Sequence, residues 1–244
     1  MVLVLGGMPR QFGHKIVHPY SPNNEVPQEF VLPTWNWLAQ LADENWAIAY
    51  DVVPPELTRA LYVQACRLHA ADKLKRAGIG RAADLTIDTD IRRDKIHWLN
   101  SQDDVQADYL SVMENVRQTL NSSLFLGLFS YEAHYAVYEE GGFYARHYDA
   151  FKGAKNRVLS TVFYLNSDWV EAHGGELAIY SENEDTAALA VIPPEAGTLV
   201  LFLSEDVPHE VLPAYADRYS IAGWFRVNDR LGAPALQVVE TPIL

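Results

Sequence analysis

The chain has 244 residues and carries 19 basic and 32 acidic side chains, a formal net charge of −13. The length suits one domain with a sizeable core, and the acidic balance argues against nucleic acid as a partner, because phosphate backbones bind basic surfaces. A single cysteine, Cys66, excludes an intramolecular disulfide and a thiolate-ligated metal site. It lies in a helical pattern, which indicates a small buried side chain.

The first 32 residues are rich in Pro, Gly and Asn and show no sustained period. We expect them to form an arm (1–32), followed by a single domain over 33–244. The apolar start, 1–8, is too short to span a bilayer and lacks the features of a signal peptide. We therefore expect a cytoplasmic protein, monomeric and without membrane contact.

Helical patterns dominate the first part of the domain. A short helix is expected from Thr34, a strand over 46–53, and a longer helix that opens at Pro54-Pro55 and stops at Gly78. The last turns of the longer helix are expected to hold three basic residues, Lys73, Lys75 and Arg76.

A polar stretch, 80–93, comes next. A loop of this length beside a compact domain is often functional, and closure over a substrate is one role open to it. A strand at 95–99 and a packing helix at 104–121 follow, the latter with apolar side chains at helical spacing.

After the second long helix the apolar period becomes alternating. Eight strand-like runs are separated by Gly-rich and Pro-rich turns. These runs are 131–138, 142–149, 157–165, 175–180, 188–193, 197–203, 208–212 and 218–226. The pattern predicts an α+β, mainly β fold whose core, about 131–228, is a double-stranded β-helix (jelly roll) backed by N-terminal helices.

Two histidines and an aspartate in these runs form a candidate metal site. His147 and Asp149 are alternate residues, so on a strand both would face the interior while Tyr148 points away. His209 would supply a third ligand from a later strand. Such a set holds divalent iron on one face and leaves positions open for oxygen chemistry. The alternative is that all three are polar strand residues satisfied by neighbours.

Arg218 follows His209 by nine residues and begins a strand. A buried arginine requires an anionic partner. Its planar fork suits a carboxylate, to which the hydroxyl of Tyr164 could donate a further hydrogen bond. The alternative is a salt bridge from Arg218 to Asp217, Glu210 or another acid.

Alternation along the two strands places further side chains on the same faces as Arg218 and Tyr164. On the strand of Arg218, the residues that share its face are Ser220, Ala222 and Trp224. On the central strand, Ser160 and Val162 share the face of Tyr164, so we expect both to line the same cosubstrate pocket.

The sequence around these residues resembles the prolyl 4-hydroxylases of the 2-oxoglutarate and iron(II) dioxygenase superfamily. The hypoxia-inducible-factor prolyl hydroxylases and their bacterial counterparts are the most similar of these. The likeness is carried by Tyr144-Ala-Arg-His-Tyr-Asp149 and by the stretches 157–169, 174–177, 208–224 and 91–98.

The resemblance implies a role for each matched residue. Iron(II) would be bound by His147, Asp149 and His209. The distal carboxylate of 2-oxoglutarate would be bound by Arg218 and Tyr164, with Tyr138 lining the pocket. The residues that would meet the substrate proline are Tyr144, Arg157 and Trp224, with Asp94 fixing a mobile loop.

The implied reaction is hydroxylation of a prolyl residue at C4 in a protein substrate. It consumes O2 and 2-oxoglutarate, releases succinate and CO2, and uses ascorbate (vitamin C) as reductant. Elongation factor Tu is the expected substrate, and oxygen sensing is the physiological role that the resemblance suggests. The alternatives are the same chemistry on a small molecule or another residue type, a zinc hydrolase, and a non-catalytic jelly-roll binding module.

Overall fold

A computed structural model of the protein describes residues 36–77, 90–150, 156–182 and 187–227. Within these ranges it contains three helices, α1 (Asn36–Glu44), α2 (Pro55–Ala70) and α3 (Asp104–Leu124). The first seven strands are β1 (Trp46–Ala49), β2 (Lys75–Arg76), β3 (Asp94–Trp98), β4 (Ser130–Tyr138), β5 (Tyr144–His147), β6 (Arg157–Tyr164) and β7 (Leu177–Ile179). The last four are β8 (Ala190–Ile192), β9 (Leu199–Leu203), β10 (His209–Val211) and β11 (Arg218–Arg226).

The strands form two antiparallel sheets. The major sheet has the order β1-β9-β6-β11-β4-β3-β2, and the minor sheet has the order β5-β10-β7-β8. Apolar side chains from both sheets, among them Tyr164, Phe202 and Ile179, pack into one cluster between them. The predicted α+β, mainly β architecture is confirmed, and each of the eight predicted runs coincides with one of β4 to β11.

The three helices cover the outer face of the major sheet. Tyr109 and Met113 of α3 pack against Phe163, Ile221 and Phe225 of the sheet, all of them fully buried. Each large apolar side chain removed from water in this way stabilises the fold by about 1.5–3 kcal/mol. Alternate residues of a strand face opposite sides of the sheet. Because Ile221 and Phe225 face the helices, the even-numbered residues of β11 face the minor sheet.

The α2 helix is shorter than its sequence indicated. It ends at Ala70, and Asp72 adopts a positive φ of 52° that turns the chain out of the helix. The prediction that Lys73, Lys75 and Arg76 lie in its last turns is wrong. Lys75 and Arg76 instead form β2, whose backbone pairs with β3 at the sheet edge. The predicted stop at Gly78 lies outside the described residues.

The other expectations for the first part of the chain are met in part. The β1 strand covers only the first half of the predicted run 46–53, because Asp51 has a positive φ of 58°. The proposed arm, 1–32, lies outside the described residues, and so does most of the loop 80–93. None of the three described helices has the length and apolar content needed to cross a bilayer.

Candidate metal centre and cosubstrate pocket

His147, Asp149 and His209 lie together where the minor sheet meets the barrel interior. His147 ends β5 and is the register partner of His209, which begins β10. One Asp149 oxygen lies 3.5 Å from Nε2 of His147, and the other lies 3.8 Å from Nε2 of His209. Because β5 ends at His147, Asp149 reaches the cluster from the following bend rather than by strand alternation. Tyr148 is exposed, as expected.

Backbone carbonyls fix the orientation of both imidazole rings. Nδ1 of His147 lies 2.8 Å from the carbonyl of Ala145, and Nδ1 of His209 lies 3.1 Å from that of Val207. A carbonyl only accepts hydrogen bonds, so each Nδ1 carries the hydrogen and each Nε2 keeps its lone pair. Histidines that bind metals are held in this way.

Electrostatics place the cluster in the ionisation state that a metal requires. Burial alone would raise the pKa of Asp149, but His209, His147 and the hydroxyl of Ser160 outweigh it and hold that pKa below the usual carboxyl range. Burial, followed by repulsion from His147, lowers the pKa of His209 to about 4. At neutral pH the cluster therefore offers a carboxylate and a neutral imidazole, as metal ligation demands.

Arg218 lies deep in the barrel, only 3% exposed. Its Nε donates to the carbonyl of Gly175 at 2.7 Å, and its Nη1 donates to Oγ of Ser220 at 3.1 Å. Nη2 is buried without a hydrogen-bond partner. Within the described ranges no carboxylate forms a salt bridge with it, which removes the ion-pair alternative for Asp217 and Glu210.

A second buried donor lies beside this guanidinium. The hydroxyl of Tyr164 also has no hydrogen-bond partner, and the guanidinium carbon of Arg218 lies 5.0 Å from the ring centroid of Tyr164 and 4.9 Å from that of Tyr138. Burial raises the pKa of Tyr164 to about 12 despite the nearby Arg218, so its hydroxyl remains a donor. Unpaired buried donors each cost about 1–3 kcal/mol. One carboxylate would satisfy both.

Ser160 and Val162 line the same interior, as their parity predicted. Ser160 is the register partner of Trp224, and Val162 is the partner of Ala222. Oγ of Ser160 lies 2.8 Å from Oγ of Ser204, and the Ser160 hydroxyl also stabilises the Asp149 carboxylate. The role of Ser160 and Val162 in binding the cosubstrate stays a prediction.

Tyr144 and Asp94 are joined through Arg92. The ring of Tyr144 stacks on His147 with centroids 3.5 Å apart, and the guanidinium of Arg92 lies 4.3 Å from the Tyr144 centroid. Arg92 donates to both oxygens of the buried Asp94, at 2.7 and 2.6 Å. Sequence reasoning missed Arg92, although the alternate spacing of Arg92 and Asp94 was a usable signal for one shared face.

Trp224 and Arg157 form the wall at the other end of β11. The guanidinium of Arg157 lies 3.8 Å from the Trp224 ring centroid. Trp98 and His134 pack nearby, their centroids 6.3 and 5.4 Å from that of Trp224. No sequence pattern indicates this neighbourhood of His134.

His134 predicts an acid sensitivity of the fold. Burial lowers its pKa to about 4, while the unfolded chain keeps a value near 6.5. The stability due to neutral His134 is therefore complete above the unfolded value and is lost as pH falls toward 4. Between pH 7 and pH 5 we expect a loss of about 2 kcal/mol. Urea denaturation of the metal-free protein should show that His134→Gln removes this part of the pH dependence; an unchanged dependence would contradict the assignment.

The two-histidine, one-carboxylate cluster inside a jelly roll defines the class of non-haem iron oxygenases. A sequence profile of the 2OG-Fe(II) oxygenase superfamily matches residues 133–226. Egl nine homolog 1 of Homo sapiens is 35% identical over 146 residues, 56% of this chain and 33% of that protein. The chain thus spans about a third of the length of that curated relative.

Solved structures extend the likeness over more of the chain. A prolyl-4-hydroxylase of Pseudomonas putida is 38% identical, with a TM-score of 0.70 over 78% of this chain and 97% of that one. A prolyl hydroxylase from Trichoplax adhaerens, solved with a hypoxia-inducible-factor degradation-domain peptide, is 26% identical with a TM-score of 0.69, covering 78% of this chain and 87% of that one. The chain belongs to the 2OG-Fe(II) oxygenase superfamily and is homologous to its prolyl hydroxylases. Membership implies Fe(II), 2-oxoglutarate and O2.

Gly175 tests how closely the pocket holds Arg218. Its φ is +77°, and an added Cβ would lie 2.9 Å from Cδ of Arg218. We expect Gly175→Ala to displace the guanidinium and raise the KM for 2-oxoglutarate about tenfold, besides a strain cost of about 1–2 kcal/mol. Gly127→Ala is the matched control, because Gly127 has a φ of +68° and nothing within 4 Å of an added Cβ. Equal KM values for the two variants would contradict the close packing.

Proposed function

We propose that the chain is a 2-oxoglutarate- and Fe(II)-dependent dioxygenase that hydroxylates a prolyl residue at C4 in a protein substrate. The observation that carries the proposal is the pair of unpartnered buried donors, Nη2 of Arg218 and Oη of Tyr164, in the same interior as the His-Asp-His cluster. A zinc hydrolase needs the cluster but not this anion site, and a binding module needs neither.

The described residues divide the work between metal, cosubstrate and substrate. Iron would be held by His147, Asp149 and His209, and the distal carboxylate of 2-oxoglutarate by Arg218 and Tyr164. When bound, iron and 2-oxoglutarate supply the activation of O2, with release of succinate and CO2 and transfer of one oxygen atom to the substrate.

The protein's own contribution is binding and orientation. The ring of Tyr138 and the barrel side chains around Arg218 exclude water, which strengthens the contact between the guanidinium and a carboxylate. The target prolyl ring would lie beside the metal, between Tyr144 and Trp224. Tyr144 is stacked on His147, and Trp224 lies at the opposite end of β11 from Arg218.

The choice of a protein prolyl residue rests on the homologous prolyl hydroxylases, one of which was solved with a peptide of a protein substrate. Within this proposal, elongation factor Tu is the first candidate substrate and ascorbate is the reductant. We further propose that the enzyme acts in the cytoplasm as a monomer, with residues 33–244 forming the single oxygenase domain, and that its O2 requirement supports oxygen sensing.

The proposal is tested by incubating the purified protein with Fe(II), 2-oxoglutarate, ascorbate and a cell lysate that includes elongation factor Tu. Peptide mass spectrometry should then find a one-oxygen gain on proline that disappears when 2-oxoglutarate or O2 is omitted. Oxygen gain on another residue type, or succinate formation with no modified peptide, would favour the small-molecule or other-residue alternative. Activity with zinc alone and without O2 would favour a hydrolase.

A further inference from the structure

We propose that Glu132 is a positioning residue for the substrate: it holds Arg157 flat against Trp224 and so builds the wall on which the target prolyl segment rests. The inference rests on the proposed function and deepens it, because it concerns how the same site recognises the chain that carries the proline.

Glu132 binds two arginines, one with each carboxylate oxygen. Nε and Nη2 of Arg157 donate to Oε1 at 3.0 and 2.9 Å. Nη1 of Arg226 donates to Oε2 at 3.1 Å. All three side chains are partly exposed, between 28% and 33%. One carboxylate therefore organises two cations at the mouth of the barrel.

Strand register places this group on the interior face of the major sheet. Glu132 is the register partner of Trp224 on the neighbouring strand, and Trp224 is in turn the partner of Ser160. Glu132, Trp224 and Ser160 therefore lie side by side on three adjacent strands, on one face of the major sheet.

The arginine needs this restraint because its contact with the indole is weak by itself. A guanidinium over an aromatic ring at a partly exposed site contributes about 0.5–1 kcal/mol, too little to fix a long, flexible side chain. Charge-assisted hydrogen bonds contribute about 1.5–3 kcal/mol. With Nε and Nη2 directed at Glu132, Nη1 of Arg157 is the nitrogen that remains for an acceptor on the substrate, such as a backbone carbonyl.

The indole of Trp224 is enclosed by the same group. Its Nε1 is buried without a hydrogen-bond partner among the described residues, and the side chain packs against Arg157, Trp98 and His134. Trp224 therefore contributes aromatic surface to the wall, and Nη1 of Arg157 contributes the donor. A prolyl residue has no N–H of its own, so a hydrogen bond to that residue is made through its carbonyl, to which Nη1 can donate.

The test compares Glu132→Gln with a matched control, Glu114→Gln. Glutamine is nearly isosteric but has one acceptor oxygen, and its amide NH2 would face the N–H groups of the other arginine. Glu114 on α3 accepts two hydrogen bonds from Arg117, at 2.7 and 2.6 Å, in the helical layer. A third variant, Glu132→Asp, keeps the charge and tests rescue. Thermal denaturation monitors the fold of each protein.

The probe is a degenerate library of synthetic peptides with one central proline, measured by oxygen gain. With Glu132→Gln we expect the KM for the library to rise about tenfold, which is about 1.4 kcal/mol. The KM for 2-oxoglutarate in the peptide-independent formation of succinate should stay unchanged. Glu132→Asp should recover part of the loss, and Glu114→Gln should behave as the wild type.

Two results with Glu132→Gln would overturn the inference. One is an unchanged KM for the library. The other is a parallel loss of library turnover, 2-oxoglutarate turnover and melting temperature, which indicates a purely structural role. A wild-type enzyme that forms succinate but hydroxylates no library peptide would also overturn it, while leaving the oxygenase chemistry intact. Absence of any succinate formation by the wild type would instead contradict the proposed function.

Discussion

Replacing Asp149 by alanine is expected to reduce turnover below detection. The variant would leave two imidazoles and no anionic ligand for a divalent ion. Loss of a residue that merely orients a metal ligand costs about 10–100-fold, so loss of the carboxylate itself should lower iron affinity by more than about 100-fold. Binding of Fe(II) under anaerobic conditions, measured by calorimetry, and succinate formation should fall together.

The control for this variant is Asp108→Ala on α3. Asp108 is exposed and belongs to the helical layer, away from the cluster of ligands. It should bind iron and form succinate as the wild type does. A fully active Asp149→Ala enzyme would remove Asp149 from the metal site, and iron binding without turnover would assign it a role in the reaction other than ligation.

Replacing Arg218 by alanine should raise the KM for 2-oxoglutarate by about 100-fold while iron still binds. The expected size follows from charge-assisted hydrogen bonds of about 1.5–3 kcal/mol each. The structure adds a second expectation. Because the buried Arg218 also donates to Gly175 and Ser220, its loss should lower the stability of the cosubstrate-free protein as well.

Thermal melting with and without 2-oxoglutarate separates these effects. The wild type should be stabilised by saturating cosubstrate, since a ligand that binds only the folded state shifts the unfolding equilibrium. Arg218→Ala should lose that shift, which is measured from the variant's own basal melting temperature. Arg218→Lys keeps the charge but lacks the planar guanidinium. Its shift in melting temperature with 2-oxoglutarate should lie between those of the wild type and Arg218→Ala. Unchanged 2-oxoglutarate kinetics in Arg218→Ala would remove Arg218 from the cosubstrate site.

The strands and the candidate ligands were largely readable from the sequence. Alternation along β11 placed Arg218, Ser220 and Trp224 on one face, and the structure has Ile221 and Phe225 on the other. The face of each side chain on β11 can be predicted because side chains alternate with a period of two and helices cover one face of the sheet. A register shift of one residue would therefore expose the core side chains.

Contacts between distant elements were not readable in this way. The end of α2 at Ala70 depends on a left-handed Asp72 and on pairing of β2 with β3, which helix propensity does not encode. The Glu132 pair with Arg157 joins residues 25 positions apart through strand register. Such registers are set by the assembled sheet rather than by any local pattern.

The carbonyls that hold Nδ1 of His147 and His209 also bear on metal exchange. Each ring is restrained by the carbonyl two residues before it, so the backbone orients both imidazole donors. This orientation does not favour iron over other divalent ions. Copper and zinc bind such nitrogen and oxygen donors more tightly than Fe(II) does. Correct loading must then depend on which ions the cell keeps available, and misloading by zinc or copper is the expected route of inactivation.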